Sequence, residues 1–292
     1  MASEDIRWFD GTGARLAYRV AGQGPALVLV HGYPTHGATW RKLVPELSKR
    51  FTCYLPDLPG LGRTEWRADT DFGFHGHARV LRAWVDELGL DEYDLVAHDT
   101  GATVARCLAD ADGPRVRRLA LINTEMPGHR PPWIPLYRHL AALPGASLNF
   151  SLLLRQRWFR RTPMGFGGCF VNRDLIEGDF YDHFVAPLLA SSRRMEGSLR
   201  YLRGIGWDVV DGLREIHARL RMPVQLVWGT EDPTFPIALA REMAAQFPTP
   251  PAFASIPNAA LLPHEEQPDL VLRALGDFLT TAAPATPLRR AH

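Results

Sequence analysis

Over the first 125 positions, apolar residues cluster into short unbroken runs separated by amphipathic stretches. Ala26 to Val30 (ALVLV) is apolar throughout, as a strand covered on both faces should be. Phe51 to Leu55 and Tyr93 to Val96 read the same way, and Val116 to Ile122 (VRRLALI) is a further predicted strand. Arg15 to Val20 alternates with period two and predicts an earlier, half-covered strand. Between these runs, Gly73 to Leu88 and Thr103 to Ala109 carry apolar residues at helical spacing. Alternating units of this length predict a parallel sheet with helices on both faces.

The rhythm stops after Glu125. From Met126 to about Arg219 no strand pattern occurs, and Pro, Gly, Arg and aromatic residues surround helical pieces such as Trp133 to Leu143 and Ser192 to Leu202. It then resumes with a strand at Val224 to Trp228, a helix at Ile237 to Phe247, a strand at Ala252 to Ile256 and a helix at Asp269 to Leu279. The simplest reading is an α/β core (1–125 and 221–282) interrupted by a helical insertion (126–220). A small, basic, proline-containing tail (283–292) is expected to be disordered.

Composition narrows the class without naming a chemistry. Hydrophobic residues make up 46% and charged residues 22% of 292 positions, as in a soluble globular chain. A formal net charge of +1 gives no overall electrostatic reason to expect nucleic acid or an anionic membrane. Cys53, Cys107 and Cys169 match no disulfide or zinc spacing, so a reducing compartment is expected. The acidic, polar start (MASED) is followed by no apolar run of signal-peptide kind, so none is expected, and no apolar run of about 18 residues occurs that could span a bilayer. A cytoplasmic monomer or homodimer is the expectation.

Three segments follow directly on predicted strands, where open α/β sheets place their sites: His31-Gly32-Tyr33-Pro34, Ala97-His98-Asp99-Thr100-Gly101-Ala102, and Trp228-Gly229-Thr230-Glu231-Asp232-Pro233. The second has small residues two before and two after its centre, as a sharp strand-to-helix turn requires, and the centre is Asp99. A carboxylate placed there attacks a saturated carbon and leaves an ester. A solvated Asp that merely caps the helix would be the plainer reading of the His-Asp-Thr window alone; the three strand-end motifs together favour catalysis.

With HGYPTHGATW (31–40), FTCYLPDLPGLGRTE (51–65), DLVAHDTGA (94–102), WGTEDP (228–233) and PHEEQPD (263–269), the chain resembles the epoxide hydrolase and haloalkane dehalogenase branch of the α/β-hydrolase superfamily. The resemblance implies a mostly parallel eight-stranded sheet with helices on both faces and a helical cap, an apolar small-molecule substrate, and no cofactor or metal. It implies Asp99 as nucleophile and the backbone amides of Tyr33 and Thr100 as oxyanion hole. Asp232 would be the acid that orients a histidine, with Glu125 the alternative position for that acid. It further implies cap side chains that protonate an opening oxygen, for which Tyr137, Tyr181, Tyr201, His139 and His183 are candidates, with Trp133 among the aromatic residues able to line a pocket. Tyr201, before Leu202-Arg203, matches the family's cap segment in a register shifted by one.

The water-activating histidine of that family has no counterpart. In Pro257-Asn258-Ala259-Ala260-Leu261-Leu262-Pro263-His264-Glu265-Glu266, alignment on Leu-Pro puts Ala260 in its seat, and alignment on Glu-Glu puts Leu261 there. Three explanations stay open: an introduced His→Ala substitution, a natural loss that leaves a partial reaction or none, or His264 reaching in from further on. Dehalogenases of the branch hold the halide with a Trp after the nucleophile and an Asn between His-Gly and Pro. Here Thr100 and Tyr33 stand in those places, so epoxide opening is the better expectation, with a dehalogenase-like hydrolase or a non-hydrolytic binding or rearrangement protein as alternatives.

Overall fold

A computed structural model of the chain describes residues 5–280; the tail at 283–292 lies outside the described residues. Nine strands form one sheet: β1 (Arg7–Gly11), β2 (Ala14–Ala21), β3 (Ala26–Val30), β4 (Thr52–Pro56), β5 (Glu65–Trp66), β6 (Tyr93–His98), β7 (Val116–Ile122), β8 (Val224–Gly229) and β9 (Ala252–Ile256). Their order is β1-β2-β4-β3-β6-β7-β8-β9, with β5 paired to β2 off this path. From β4 to β9 every pairing is parallel, whereas β2 runs antiparallel to β1, β4 and β5. Eight strands lie on the path, as expected; the ninth, β5, is two residues long and too short to leave a periodic trace.

The central strands feed two separate cores, one on each face. In β3, Val28 and Val30 pack into the larger cluster while Leu27 and Leu29 pack into the smaller one. In β7, Leu119 and Leu121 go to one side, and Ala120 and Ile122 to the other. Successive strand residues face opposite ways, so a strand buried on both faces must be apolar throughout. Each fully buried Leu or Val contributes roughly 1.5–3 kcal/mol relative to exposure.

Among the described residues no strand lies between β7 and β8. That stretch holds helices, among them Trp133–Ala141, Ala146–Arg155, Ser192–Gly204 and Leu213–Arg219. Both ends of it meet one side chain. Arg106, on the Thr100–Asp112 helix and fully buried, donates from Nη1 and Nη2 to the Glu125 carbonyl (both 3.1 Å) and makes a 3.1 Å contact from Nη1 to His217 Nε2. Burial pulls the guanidinium down to about 10, which leaves it charged at neutral pH. No helix of the described residues is long and apolar enough to cross a membrane.

Candidate active site

At the C-terminal end of β6 the chain turns into the Thr100–Asp112 helix through Asp99, whose φ of 51° is one of three positive values among the described non-glycine residues. A side chain bears that conformation only where its surroundings enforce it, and here they are tight. A Cβ on Gly101 would lie 1.9 Å from the His31 carbonyl oxygen, and one on Gly32 would lie 2.4 Å from the Asp99 Cβ. The small residues in both motifs are thus required by the approach of the β3 loop to the turn.

The Tyr33 amide donates to Asp99 Oδ2 at 2.8 Å, and the Thr100 hydroxyl reaches the same oxygen at 3.3 Å. The Tyr33 amide is also 3.0 Å from Thr100 Oγ1. Burial, and next the negative charge of Glu125, push the Asp99 carboxyl well above the usual carboxylate range, against the pull of the Thr100 and Tyr33 amides. Glu125 lies buried at the end of the segment after β7, its Oε2 accepting from Thr103 Oγ1 (2.7 Å) and Thr124 Oγ1 (2.9 Å). Both carboxyls open onto a cavity of about 700 Å³, whose remaining wall is largely apolar cap and loop side chains, among them Trp133, Phe150, Phe159, Phe166 and Leu202.

The cap donors fall out differently from the expectation. Tyr137 lines the cavity, although its hydroxyl donates to the Met164 carbonyl at 2.5 Å, and burial raises it to about 12. Tyr201 is 1% exposed but does not border the cavity. It stacks on Tyr33 and donates to Thr100 Oγ1 at 3.0 Å. The phenol thus holds Thr100 in place and does not face the cavity. One helical turn earlier, Ser198 donates to the Tyr33 hydroxyl (3.2 Å), and both of these residues line the cavity. Burial lifts the Tyr33 phenol to about 12, so it stays protonated. Tyr181 packs under Arg160, and neither it nor His139 nor His183 borders the cavity.

The two positions at which the resemblance would place a histidine hold apolar groups. Ala260 and Leu261 both line the cavity. Their backbone is fixed by Ala260 N donating to Glu266 Oε2 (2.7 Å) and by His98 Nε2 bonding the Leu261 carbonyl (2.8 Å). His264 does not reach in. It is fully buried behind the loop, bonded through Nε2 to Thr39 Oγ1 at 2.8 Å and packed against Trp40 and His98. Burial lowers it to about 3, so it is neutral. Pro263 starts a helical turn (Pro263–Glu266) that carries the side chain away from the cavity.

Among the described residues Asp232 has no histidine partner. Its Oδ2 accepts from Asn123 Nδ2 (2.6 Å) and its Oδ1 from the Thr234 amide (2.8 Å), and burial raises it to about 7. Asn123, at φ 32°, also accepts from the Gly229 amide at 2.9 Å. Sequence reasoning missed this asparagine; a polar residue directly after a buried apolar strand was the available signal. The loop of Asp232 is joined to the seat loop by Glu231 N donating to the Ala259 carbonyl at 2.9 Å. Cys169 also lines the cavity, but burial and the surrounding carboxylates push its thiol up, away from nucleophilic character.

The sequence profile of the α/β hydrolase fold matches residues 25–260. The chain belongs to the α/β-hydrolase fold family. Among curated relatives, this hydrolase is 29% identical over 283 residues to haloalkane dehalogenase 2 of Mycobacterium bovis, covering 93% of each chain. It is 38% identical over 111 residues to the soluble epoxide hydrolase of a Corynebacterium species, covering 38% of each. Among solved structures it resembles an α/β hydrolase fold protein from Burkholderia ambifaria (TM-score 0.81, 23% identity, covering 95% of this chain and 98% of that one). It also resembles the epoxide hydrolase CorEH (TM-score 0.77, 24% identity, covering 94% and 98%).

Proposed function

We propose that this hydrolase opens an electrophilic sp³ carbon of an apolar small molecule, an epoxide above all, by forming an ester on Asp99. The observation that carries the reading is the Asp99 carboxyl, held at a left-handed turn with Oδ2 2.8 Å from the Tyr33 amide, on the wall of a largely apolar cavity of about 700 Å³. With Oδ2 engaged, Oδ1 attacks the ring carbon. The C–O bond breaks, and the ring oxygen takes a proton from a cavity phenol. Tyr33 is the first candidate, because the Ser198 hydroxyl donates to it and its own proton is free for a ligand; Tyr137 is the second. When water attacks the ester carbonyl, the oxygen already at the Tyr33 amide takes up the developing charge.

Without an imidazole at position 260 or 261, water is poorly activated and the ester persists. Thr100 and Tyr33 offer no indole or amide side chain for a halide, which weighs against alkyl halides despite the dehalogenase among the relatives. A second reading, binding or rearrangement without an ester, is favoured by one feature: burial and the Glu125 charge push the Asp99 carboxyl upward, which opposes the nucleophilic carboxylate. Intact-mass measurement across a panel of apolar epoxides separates the two. A stoichiometric mass gain on the Asp99 peptide supports the ester, and its loss in Asp99→Asn ties it to this residue. Binding of the same compounds with no adduct at any pH between 6 and 9 refutes it.

A further inference from the structure

The overall charge of +1 conceals an uneven distribution. Between Met126 and Arg173 the sequence contains seven arginines and no acidic residue, so the rest of the chain is net acidic. Three of the seven pair with carboxylates from elsewhere: Arg130 with Asp211, Arg160 with Glu177 and Arg161 with Asp174. Arg155, Arg157 and Arg173 are exposed and face no carboxylate within ion-pair distance among the described residues.

The same segment carries nearly all of the exposed apolar bulk. Of the nine large hydrophobic residues described as exposed, eight lie between Leu136 and Val171. Leu148 (63%) and Leu152 (51%) form an i, i+4 stripe on the Ala146–Arg155 helix, and Trp158 (65%) stands between Arg157 and the cavity-lining Phe159. The exposed Met164, Val171 and Arg173 border the cavity, so its mouth is rimmed by this segment.

We propose that this part of the cap is a peripheral membrane-binding surface for anionic phospholipid, with Trp158 and the Leu148/Leu152 stripe entering the headgroup boundary and Arg155 and Arg157 meeting the headgroups. Clustered exposed apolar side chains of this size mark an interaction surface. Amphipathic segments that combine arginine with Trp and Leu bind anionic bilayer interfaces, where Trp is favoured. Self-association is the lesser fit, since a two-fold contact sets like against like and would oppose arginine to arginine with no acid to answer it. The cavity mouth on this segment would then draw an apolar ligand directly from the lipid.

The test is flotation of the full chain with vesicles of phosphatidylcholine alone and of phosphatidylcholine mixed with phosphatidylglycerol, over a salt series. The expected result is binding to the mixed vesicles that weakens with salt and falls roughly a hundredfold in Arg155→Glu/Arg157→Glu, and also falls in Trp158→Ala. Melting temperature and uptake of a cavity ligand should stay unchanged in both. Should the charge reversal fold poorly, Arg155→Gln/Arg157→Gln serves in its place. Equal partitioning to both vesicle types overturns the proposal. So does no binding, or a concentration-dependent dimer that dissociates in the same variants.

Discussion

Placing histidine at position 260 is the sharpest test of the proposed reaction. Ala260 is 2% exposed, its side chain borders the cavity, and its amide is anchored to Glu266 Oε2. A larger side chain there is expected to extend into the cavity of about 700 Å³ that this residue lines. The loop that carries Asp232 is bonded to this one, so an imidazole at 260 is expected to come within reach of the Asp232 carboxyl, which burial raises to about 7. The ion pair should draw Asp232 back towards the ordinary carboxylate range and hold the ring for proton abstraction from water. A positioned general base contributes about 10²- to 10⁴-fold, equivalent to roughly 3–5 kcal/mol of barrier. In rapid-quench mass spectrometry, the Asp99 ester formed by the unsubstituted chain should persist for many turnovers' worth of time. In Ala260→His it should decay faster by about two to four orders of magnitude, with steady release of diol. Leu261→His serves as the register control and should leave the ester in place. A folded Ala260→His chain whose ester is as long-lived as before would refute the reasoning, and turnover in Leu261→His alone would move the seat by one residue.

Three further outcomes follow from the carboxyls and the buried phenol. In Glu125→Gln, removal of the neighbouring charge should shift the pH profile of ester formation to lower pH, because Glu125 is the largest electrostatic contribution raising Asp99; an unmoved profile in a stopped-flow pH series argues against the coupling. Asp232 binds a proton in the folded state up to about 7 but in the unfolded chain only to about 4. Stability therefore falls as pH rises through that window, by up to about 4 kcal/mol, and Asp232→Asn should flatten this part of a denaturation-versus-pH curve. Tyr201→Phe removes the donor to Thr100 Oγ1; the rate of ester formation should drop by less than about tenfold, consistent with one lost hydrogen bond, with KM unchanged, since the ring does not border the cavity.

Strands buried on both faces were the most legible part of the chain. β3 and β7 have the bounds the sequence suggests, because their apolar residues supply both faces of a covered strand. β1 escaped notice, since its RWFDG sequence pairs at an exposed edge and buries almost nothing. The Thr100–Asp112 helix begins three residues before the periodic pattern does, because Thr100, Gly101 and Ala102 are chosen for the turn and not for amphipathicity. Around the site, residues tied to strand ends (Asp99, Tyr33, Asp232) were readable, as strand-end position is a local property. Tyr201 and His264 were not: which way a helical side chain faces depends on packing against distant groups, Thr100 for one and Thr39 for the other.

The guanidinium of Arg106, carried by the helix that starts at Asp99, touches the outgoing end of the insertion at Glu125 and the returning end at His217. Any breathing of the lid is thereby pinned at its root, close to where Asp99 and Glu125 face each other. The Ser192–Gly204 helix is tied to the same turn a second time, through Tyr201 to Thr100 and Ser198 to Tyr33. Entry and attack thus share one frame: substitutions in that helix should alter both, whereas exchange of an exposed rim residue such as Val171 should alter which molecules get in and leave the Asp99 turn as it is.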